Sequence, residues 1–599
     1  EGQTFFARGI YTEFKDDEQR NAYQIELDRA VSGTRGLLSG DLVGVPVTGA
    51  FQDGQYRNEN LILSTGMNYD NGNGYGFDFA LGYPRTKNPT RLPIAQAATA
   101  GLDNISLTYD RTGDARFPIV SLYQTVLSPG APGTAVQLRG PALSGFDQTT
   151  LSAPRAILLP ILQGTTSDAY TARFDMWKEA GGVTFKAGVL GSIRDISGNT
   201  IGIGGVVPLG ATGFNINNYV TGKPWKTGFP LGFSLNYVDN PALDRDLMKV
   251  LAANGQELKD FVLPTSLYDQ KEQIAAGYLM GQFDLDKLQL TAGARVEYYT
   301  LDNAGTAFIG AVPTPLSNST DYFDVFPSVN LRYAASDNLV FRLAGQRGVS
   351  RPAYAAIRVG ASVSDTGGTI SGGNPFLRPE MTWGVDAGVE YYLPGNGIVS
   401  VAAFHRWVDD VLYSSQQPVG SDLYNSGGID RSGYRLTSSF NGTNGKLYGV
   451  EFNIEHQFQS LPGFLGGFGV QGNLTLLDGD FDALQPDGTI AKAPFQGLSD
   501  TVANASIFYE KYGLSARVSY QWRSDYLDTL GGLGAGEFRK GYENLDVTLR
   551  YALTPNFTIY ADLANLTNEH YVAYEGTADT PTEVEQIGSR YMFGIRFDF

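Results

Sequence analysis

Apolar and polar residues alternate along much of this chain, and the alternation is cleanest just after the midpoint. Leu288, Leu290, Ala292, Ala294, Val296 and Tyr298 point one way; Lys287, Gln289, Thr291, Gly293, Arg295 and Glu297 point the other. A period of two is the signature of a strand with one apolar and one polar face. The pattern repeats in pairs. EQIAAGYLMGQF turns at Asp284–Asp286 into KLQLTAGARVEYY, FPSVNLRY turns at Ala335–Asn338 into LVFRLAGQRGVS, and GVDAGVEYY turns at Pro394–Gly397 into IVSVAAFHRWV. Later pairs turn at Lys511 and at Thr554–Asn556, and earlier ones at Asn71–Gly74 (NGNG) and Ala180–Gly182. Such turn residues between alternating runs mark hairpins. The pattern gives about 18 strands, with short turns alternating with long connections near 29–56, 88–167, 197–268 and 415–445.

An all-β chain with short turns on one side and long loops on the other is predicted to be a transmembrane antiparallel β-barrel. Lipid would meet the apolar face and water the polar one. No 18-residue apolar run occurs, so helical membrane spans are excluded. A barrel escapes such a search because only alternate residues face lipid. Tyrosine pairs near strand ends, Tyr298–Tyr299 and Tyr391–Tyr392, suit interfacial girdles. The 599 residues include no cysteine, so no disulfide is available, and 74 glycines, 34 Tyr and 34 Phe. The formal net charge of −18 argues against a nucleic-acid partner.

The last strand, RYMFGIRFDF, places Tyr591, Phe593, Ile595, Phe597 and Phe599 on one face and Met592, Gly594, Arg596 and Asp598 on the other. It resembles the C-terminal recognition signal of bacterial outer-membrane proteins. Gly594, Phe597 and Phe599 match that signal, while Met592 stands where a polar residue is usual.

Three further stretches resemble the barrel of the TonB-dependent outer-membrane receptors: GVSRPAYAAI (348–357) with GGNPFLRPEMTWGVDAGVEYYLPGNG onward from 372, YGVEFNIEHQF, and YENLDVTLRYALTPNFTIYADLANLTNEHYVAYEG (542–576). Arg351–Pro352, Asn374–Pro375 and Arg378–Pro379–Glu380 are the most specific matches, and they read as structural positions where proline fixes extended backbone at a loop. The opening FFARGIYTEFKDDEQRNAYQIELD resembles a subfamily common in Caulobacter-like and Xanthomonas-like bacteria. The resemblance implies a Gram-negative outer-membrane receptor that binds a scarce nutrient and imports it with energy from TonB. It further implies a TonB box, a plug domain and a 22-strand barrel. No plug-like stretch is present in these residues, so the plug and about four strands are expected upstream of Glu1. Implied partners are the TonB complex through that plug, outer-membrane lipid and lipopolysaccharide, a small-molecule or oligosaccharide substrate, and a surface lipoprotein.

No enzyme motif or cofactor site is apparent. His405, His456 and His570 are isolated and lack metal-ligand spacing, and DGDFDALQPDGT (478–489) only faintly resembles a calcium loop. Arg295, Glu297, Arg342, Asp386, Glu390, Arg517, Arg596 and Asp598 fall on polar strand faces, where they would line the lumen, paired with each other or against the plug. In the 197–268 stretch, Tyr219, Trp225, Phe229 and Tyr237 are interleaved with polar residues and Asp239. Aromatic faces stack on sugars while carboxylates and amides bond hydroxyls, so these five are candidate substrate-binding residues; the alternative is that they pack the loop's own core. Three rival readings stay open: a passive porin-like channel of about 18 strands, an outer-membrane barrel enzyme, and a soluble multi-domain β protein.

Overall fold

The computed structural model describes every residue except 1, 130–134, 152–155, 201–203, 213, 226–232, 311, 396, 531–535 and 599. Phe229 and Phe599 lie outside the described residues. The main sheet contains 24 strand segments. Its long members form one antiparallel ladder in chain order: β1 (Gly2–Ile25), β2 (Val47–Asp70), β3 (Tyr75–Lys87), β4 (Ile157–Ala180), β5 (Val183–Asn199), β6 (Leu267–Leu285), β7 (Leu288–Ile309), β8 (Val312–Ala334) and β9 (Leu339–Ser350). It continues through β10 (Glu380–Leu393), β11 (Gly397–Asp409), β12 (Arg435–Gln457), β13 (Phe468–Leu484), β14 (Thr501–Lys511), β15 (Leu514–Arg523), β16 (Tyr542–Thr554), β17 (Phe557–Ala564) and β18 (Arg590–Phe597). Among the described residues the register joins β1 to β2 and β18 to β17, and no pairing joins β1 to β18.

The short turn at Gly310 between β7 and β8 lies at one end of this barrel wall, and most of the short hairpin turns lie at the other. Gly72, Gly74, Gly181, Gly182 and Gly395 take positive φ there, as do Asp286 and Tyr512. A tight hairpin needs left-handed backbone at its corner, which is why the turns are written in Gly, Asn and Asp. The opposite end carries the long connections.

The alternation read from the sequence becomes the two faces of the wall. On β7, Val296 and Tyr298 are exposed while Glu297 and Tyr299 are buried. Direct partners share a face, so the outer surface continues from Val296 to Val325 and from Tyr298 to Phe323 on β8, all exposed. This exposed apolar belt crosses the wall at Leu279, Leu343, Val385, Phe452, Ile507 and Ile559. Such a continuous apolar surface would aggregate in water and is stable facing lipid. No helix among the described residues is long and apolar enough to cross a membrane.

At the loop end, several strands run on into stretches that the apolar alternation leaves to loops. The second strand starts at Val47, the fourth at Ile157 and the twelfth at Arg435. These projecting parts face water or loop residues rather than lipid, so they lack a simple apolar face. A five-stranded sheet (Ser32–Arg35, Ser39–Val45, Ile105–Asp110, Ile119–Leu127 and Gln137–Leu143) and helix α1 (Asn240–Ala253) complete that end. Their shared core includes Leu42, Leu107 and Leu122 from the sheet, Leu243, Leu247 and Leu251 from α1, and Phe51 and Leu158 from the wall.

Candidate binding site at the loop end of the barrel

The segment after β9 turns into the barrel mouth and covers the inner face of β7. Its Ile357 and Leu377 pack on Tyr299 and Leu301, with Ile274, Tyr322 and Tyr354 around them. Polar contacts fix the same docking. The Tyr354 hydroxyl donates to Glu272 at 2.9 Å and accepts from Arg194 at 3.1 Å. Gln270 Nε2 donates to the Tyr354 carbonyl at 3.0 Å, and Asn303 Nδ2 donates to the Ile357 carbonyl. Arg351 bonds Glu297 and lies 4.3 Å over the Tyr299 ring, while Arg295 holds Glu297 from the other side at 2.7 Å.

A second layer lies above the first. Ala307, Ile309, Ala361, Val363 and Ile370 join Val411, Tyr413, Tyr424, Leu436 and Phe440 in one core, which ties the segment after β9 to the connection between β11 and β12. Arg431 is its polar latch, with a side chain only 2 % exposed. Its Nε and Nη2 donate to the two Asp365 oxygens at 2.7 and 2.9 Å, and Nη1 donates to the Tyr424 carbonyl at 2.9 Å. The Arg431 guanidinium holds the Asp365 carboxyl below the usual carboxylate range, and burial pushes the Tyr424 hydroxyl up to about 12.

The residues singled out by the receptor-like motifs are the stitches of this mouth. Asn374 donates through Nδ2 to the Ser439 carbonyl at 3.0 Å, and its Oδ1 accepts from the Phe376 amide at 3.1 Å. The Pro375 carbonyl accepts from Asn318 at 3.2 Å. Arg378 pairs with Asp410 at 2.5 Å, and Asn441 exchanges bonds with the Arg378 amide and carbonyl at 2.9 Å each. Glu380 accepts from the Leu412 amide at 2.7 Å. Pro352 and Pro379 flank the segment where it leaves β9 and where it enters β10.

The candidate lumen charges pair with neighbours. Arg342 bonds Glu390 at 2.5 Å, Asp386 bonds Arg406 at 2.6 Å, Arg517 donates to Gln471 at 2.5 Å, and Arg596 lies 3.0 Å from Asp598. The 197–268 residues build the loop lobe. Tyr219 is part-buried on its core, stacks on Phe214 at 5.5 Å and donates to Asp246 at 2.9 Å; burial and that bond push its hydroxyl up to about 12. Trp225 packs against Tyr23 at 5.6 Å and Tyr237 at 6.5 Å. Asp239 caps α1 by accepting from the Ala242 amide at 3.1 Å. Tyr237 keeps an exposed face.

The histidines are scattered. His405 lies on the outer face beside Trp407 and Tyr448, His456 beside Phe458, and His570 beside Phe117. Among the described residues no cluster of His, Asp and Glu could hold a metal ion. In the 478–489 run, Asp480 and Asp482 are engaged by Lys492 at 2.7 and 3.0 Å. At the C-terminus, Gly594 lies opposite Tyr560, and a Cβ there would overlap the Tyr560 ring. Phe597 stacks on Phe557 at 4.5 Å.

Sequence reasoning missed Glu272, Tyr354, Asp365, Asn441 and Arg431. Their contacts join segments 60 or more residues apart, as in the 66-residue separation of Arg431 and Asp365, and no local pattern marks them.

Known proteins support this architecture. The chain is similar in structure to the ferric-catecholate import receptor Fiu of E. coli K12, with a TM-score of 0.51 and 10% identity over 99% of this chain and 81% of that one. It is likewise similar to the copper transporter OprC, with a TM-score of 0.50 and 11% identity over 98% of this chain and 81% of that one. No curated protein matches by sequence. The profile of the TonB dependent receptor-like β-barrel family matches residues 8–566, nearly the whole chain, and the protein belongs to that family.

Proposed function

We propose that the protein is an outer-membrane receptor that binds a scarce nutrient at its loop end and imports it with energy transmitted by TonB. The observation that carries this reading is the mouth itself. A passive diffusion channel needs an open lumen, whereas here Ile357, Leu377 and their neighbours cover the inner wall of β7. The latch at Asp365–Arg431 then fixes a second layer over it. A mouth built this way suits selective capture followed by a driven opening.

The ladder of β1 to β18 would need four further strands to reach the 22 of plugged transporters. In this reading a plug fills the barrel and TonB pulls on it. Paired charges on the inner face, such as Arg342–Glu390 and Asp386–Arg406, form the wall the plug would rest on.

For the substrate we infer a neutral, hydroxyl-rich molecule of the oligosaccharide class. At the mouth Arg351, Arg378 and Arg431 are each neutralised by a carboxylate, which disfavours a strongly anionic ligand. The exposed face of Tyr237 offers a stacking surface on the loop lobe. The test is calorimetric titration of the full-length receptor with neutral plant oligosaccharides and with ferric catecholates. Saturable binding of an oligosaccharide is expected; binding of the ferric catecholate alone would overturn the substrate assignment.

A further inference from the structure

Two sides of the inner wall use their polar groups differently. On β7 to β10 inward charges bond one another, as in Arg295–Glu297 and Arg342–Glu390. From β11 to β16 one row runs Ser400–Asn453–Asn473–Asn504–Gln521–Asn544, directly paired strand by strand. Ser400 is followed by five amides, one on each strand. Their chain neighbours Ile454, Tyr520 and Trp522 are exposed on the outer face, so alternation turns the amides inward. Strands of a barrel are tilted, so a row drawn across them climbs the wall. Ser400 accordingly stands near the turn end, early in β11, whereas Asn544 stands near the loop end, early in β16. The row is a ramp from one end of the lumen to the other.

Its hydrogen-bonding groups are largely uncommitted. Asn504 donates to Asn473 Oδ1 at 2.6 Å, and Asn544 Nδ2 donates to Asp546 at 2.9 Å. Asn544 Oδ1 is buried without a partner, and the side chains of Asn453 and Gln521 make no hydrogen bond among the described residues. Glu451 lies on the next inward row toward the loops and Glu455 on the next toward the turns. Both are exposed, and neither joins an ion pair among the described residues. A hollow of about 370 Å³ follows the row, edged by Gln471, Ser506 and Ser519.

We propose that this ramp is a second binding track, separate from the mouth, for a neutral hydroxyl-rich chain. Neighbouring strands are about 5 Å apart, so the five amides span about 20 Å. That spacing is close to the repeat of an extended glycan, which gives each sugar ring one amide. Hydroxyls donate to the amide oxygens and to Glu451 and Glu455, and they accept from the amide N–H groups. No ion pair has to break first, as it would on β7 to β10. An anionic chain would meet Glu451 and Glu455, while Arg517 on the same side is already engaged by Gln471 at 2.5 Å. The inference deepens the reading given above and rests on it: the molecule captured at the mouth leaves along this side of the lumen.

The chain contains no cysteine, so single introduced thiols report the track directly. Asn473→Cys and Gln521→Cys are placed in the full-length receptor, with Thr291→Cys on the inner face of β7 for comparison. Cells carrying TonB are labelled with a small neutral maleimide, with and without xylohexaose, and with hexagalacturonate as the anionic chain. For a site with Kd of about 1 mM, xylohexaose at about 5 mM should slow labelling of both track thiols about sixfold. Labelling of Thr291→Cys, and of all three with hexagalacturonate, should not change. Heat-modifiable migration on gels checks folding of each variant. Equal protection at Thr291→Cys, or none at either track thiol, would overturn the proposal. Track thiols that stay unlabelled without sugar, while Thr291→Cys reacts, would overturn it too, because polypeptide would then cover the row. Calorimetry separates the two readings: saturable xylohexaose binding without protection of the track refutes the track alone, and absence of both refutes the substrate class as well.

Discussion

Replacing Ile357 by Ala tests whether the segment after β9 is docked in the mouth by its core. Ile357 is 5 % exposed and packs on Tyr299, Leu301 and Leu377. Truncating a buried isoleucine costs about 2–4 kcal/mol when the site cannot collapse. Here one side of the site is a barrel strand locked by pairing on both edges, so little collapse is available. The cost therefore falls on the docking equilibrium of the segment and not on the barrel. At roughly 1.4 kcal/mol per factor of ten, the undocked population should rise about 30- to 700-fold. Hydrogen exchange resolved to peptides is the assay. Amides from 353 to 377 should exchange faster by that factor, while β7 and β8 amides stay protected. The reasoning fails if exchange in that segment is unchanged while overall barrel unfolding shifts. That result would mean Ile357 supports the wall and the mouth is held by its polar contacts.

Four further outcomes follow from the geometry. Arg431→Ala should expose the connection between β11 and β12 to protease, since it removes the guanidinium shared by Asp365 and the Tyr424 carbonyl; wild-type cleavage kinetics would contradict the latch. The same latch should weaken in acid. The Asp365 carboxyl is held below its ordinary value, so its stabilisation is complete above that value and is lost as pH falls through the lowered one. Exchange of 361–372 should thus accelerate only below about pH 4. Asp239→Ala should cost helix α1 about 0.5–2 kcal/mol through loss of its N-cap, read as faster exchange of its first turn, with nutrient affinity unchanged if Asp239 is only a cap. Gly594→Leu should reduce the yield of folded barrel because its side chain meets the Tyr560 ring, and Tyr560→Ala in the same chain should restore part of it.

The parts of the fold that are local in sequence were readable from it. The alternation over 287–298 places Val296 outside and Glu297 inside, and the turns at Asn71–Gly74 and Asp284–Asp286 stand at strand ends. Lipid imposes that simplicity, because an outer face within the membrane tolerates only apolar residues. The projecting strands obey no such rule. The second strand therefore begins at Val47, within a stretch whose composition suggests a loop, and α1 gives no warning in the pattern of strands around it. The motif residues Asn374 and Arg378 were readable as structural positions, while their partners Ser439 and Asn441 were not, being more than 60 residues away. Of the loop aromatics, Tyr219 and Trp225 pack the lobe, while Tyr237 keeps an exposed face.

Driven import distinguishes this receptor from a passive channel, and the loop segments packed inside the mouth are what would have to move. The most direct test of driven import is uptake of a labelled nutrient by intact cells carrying the full-length receptor, with and without TonB. Surface binding should survive loss of TonB while accumulation inside the cell stops. Accumulation that continues without TonB, rising in proportion to external concentration, would contradict it and favour a passive channel.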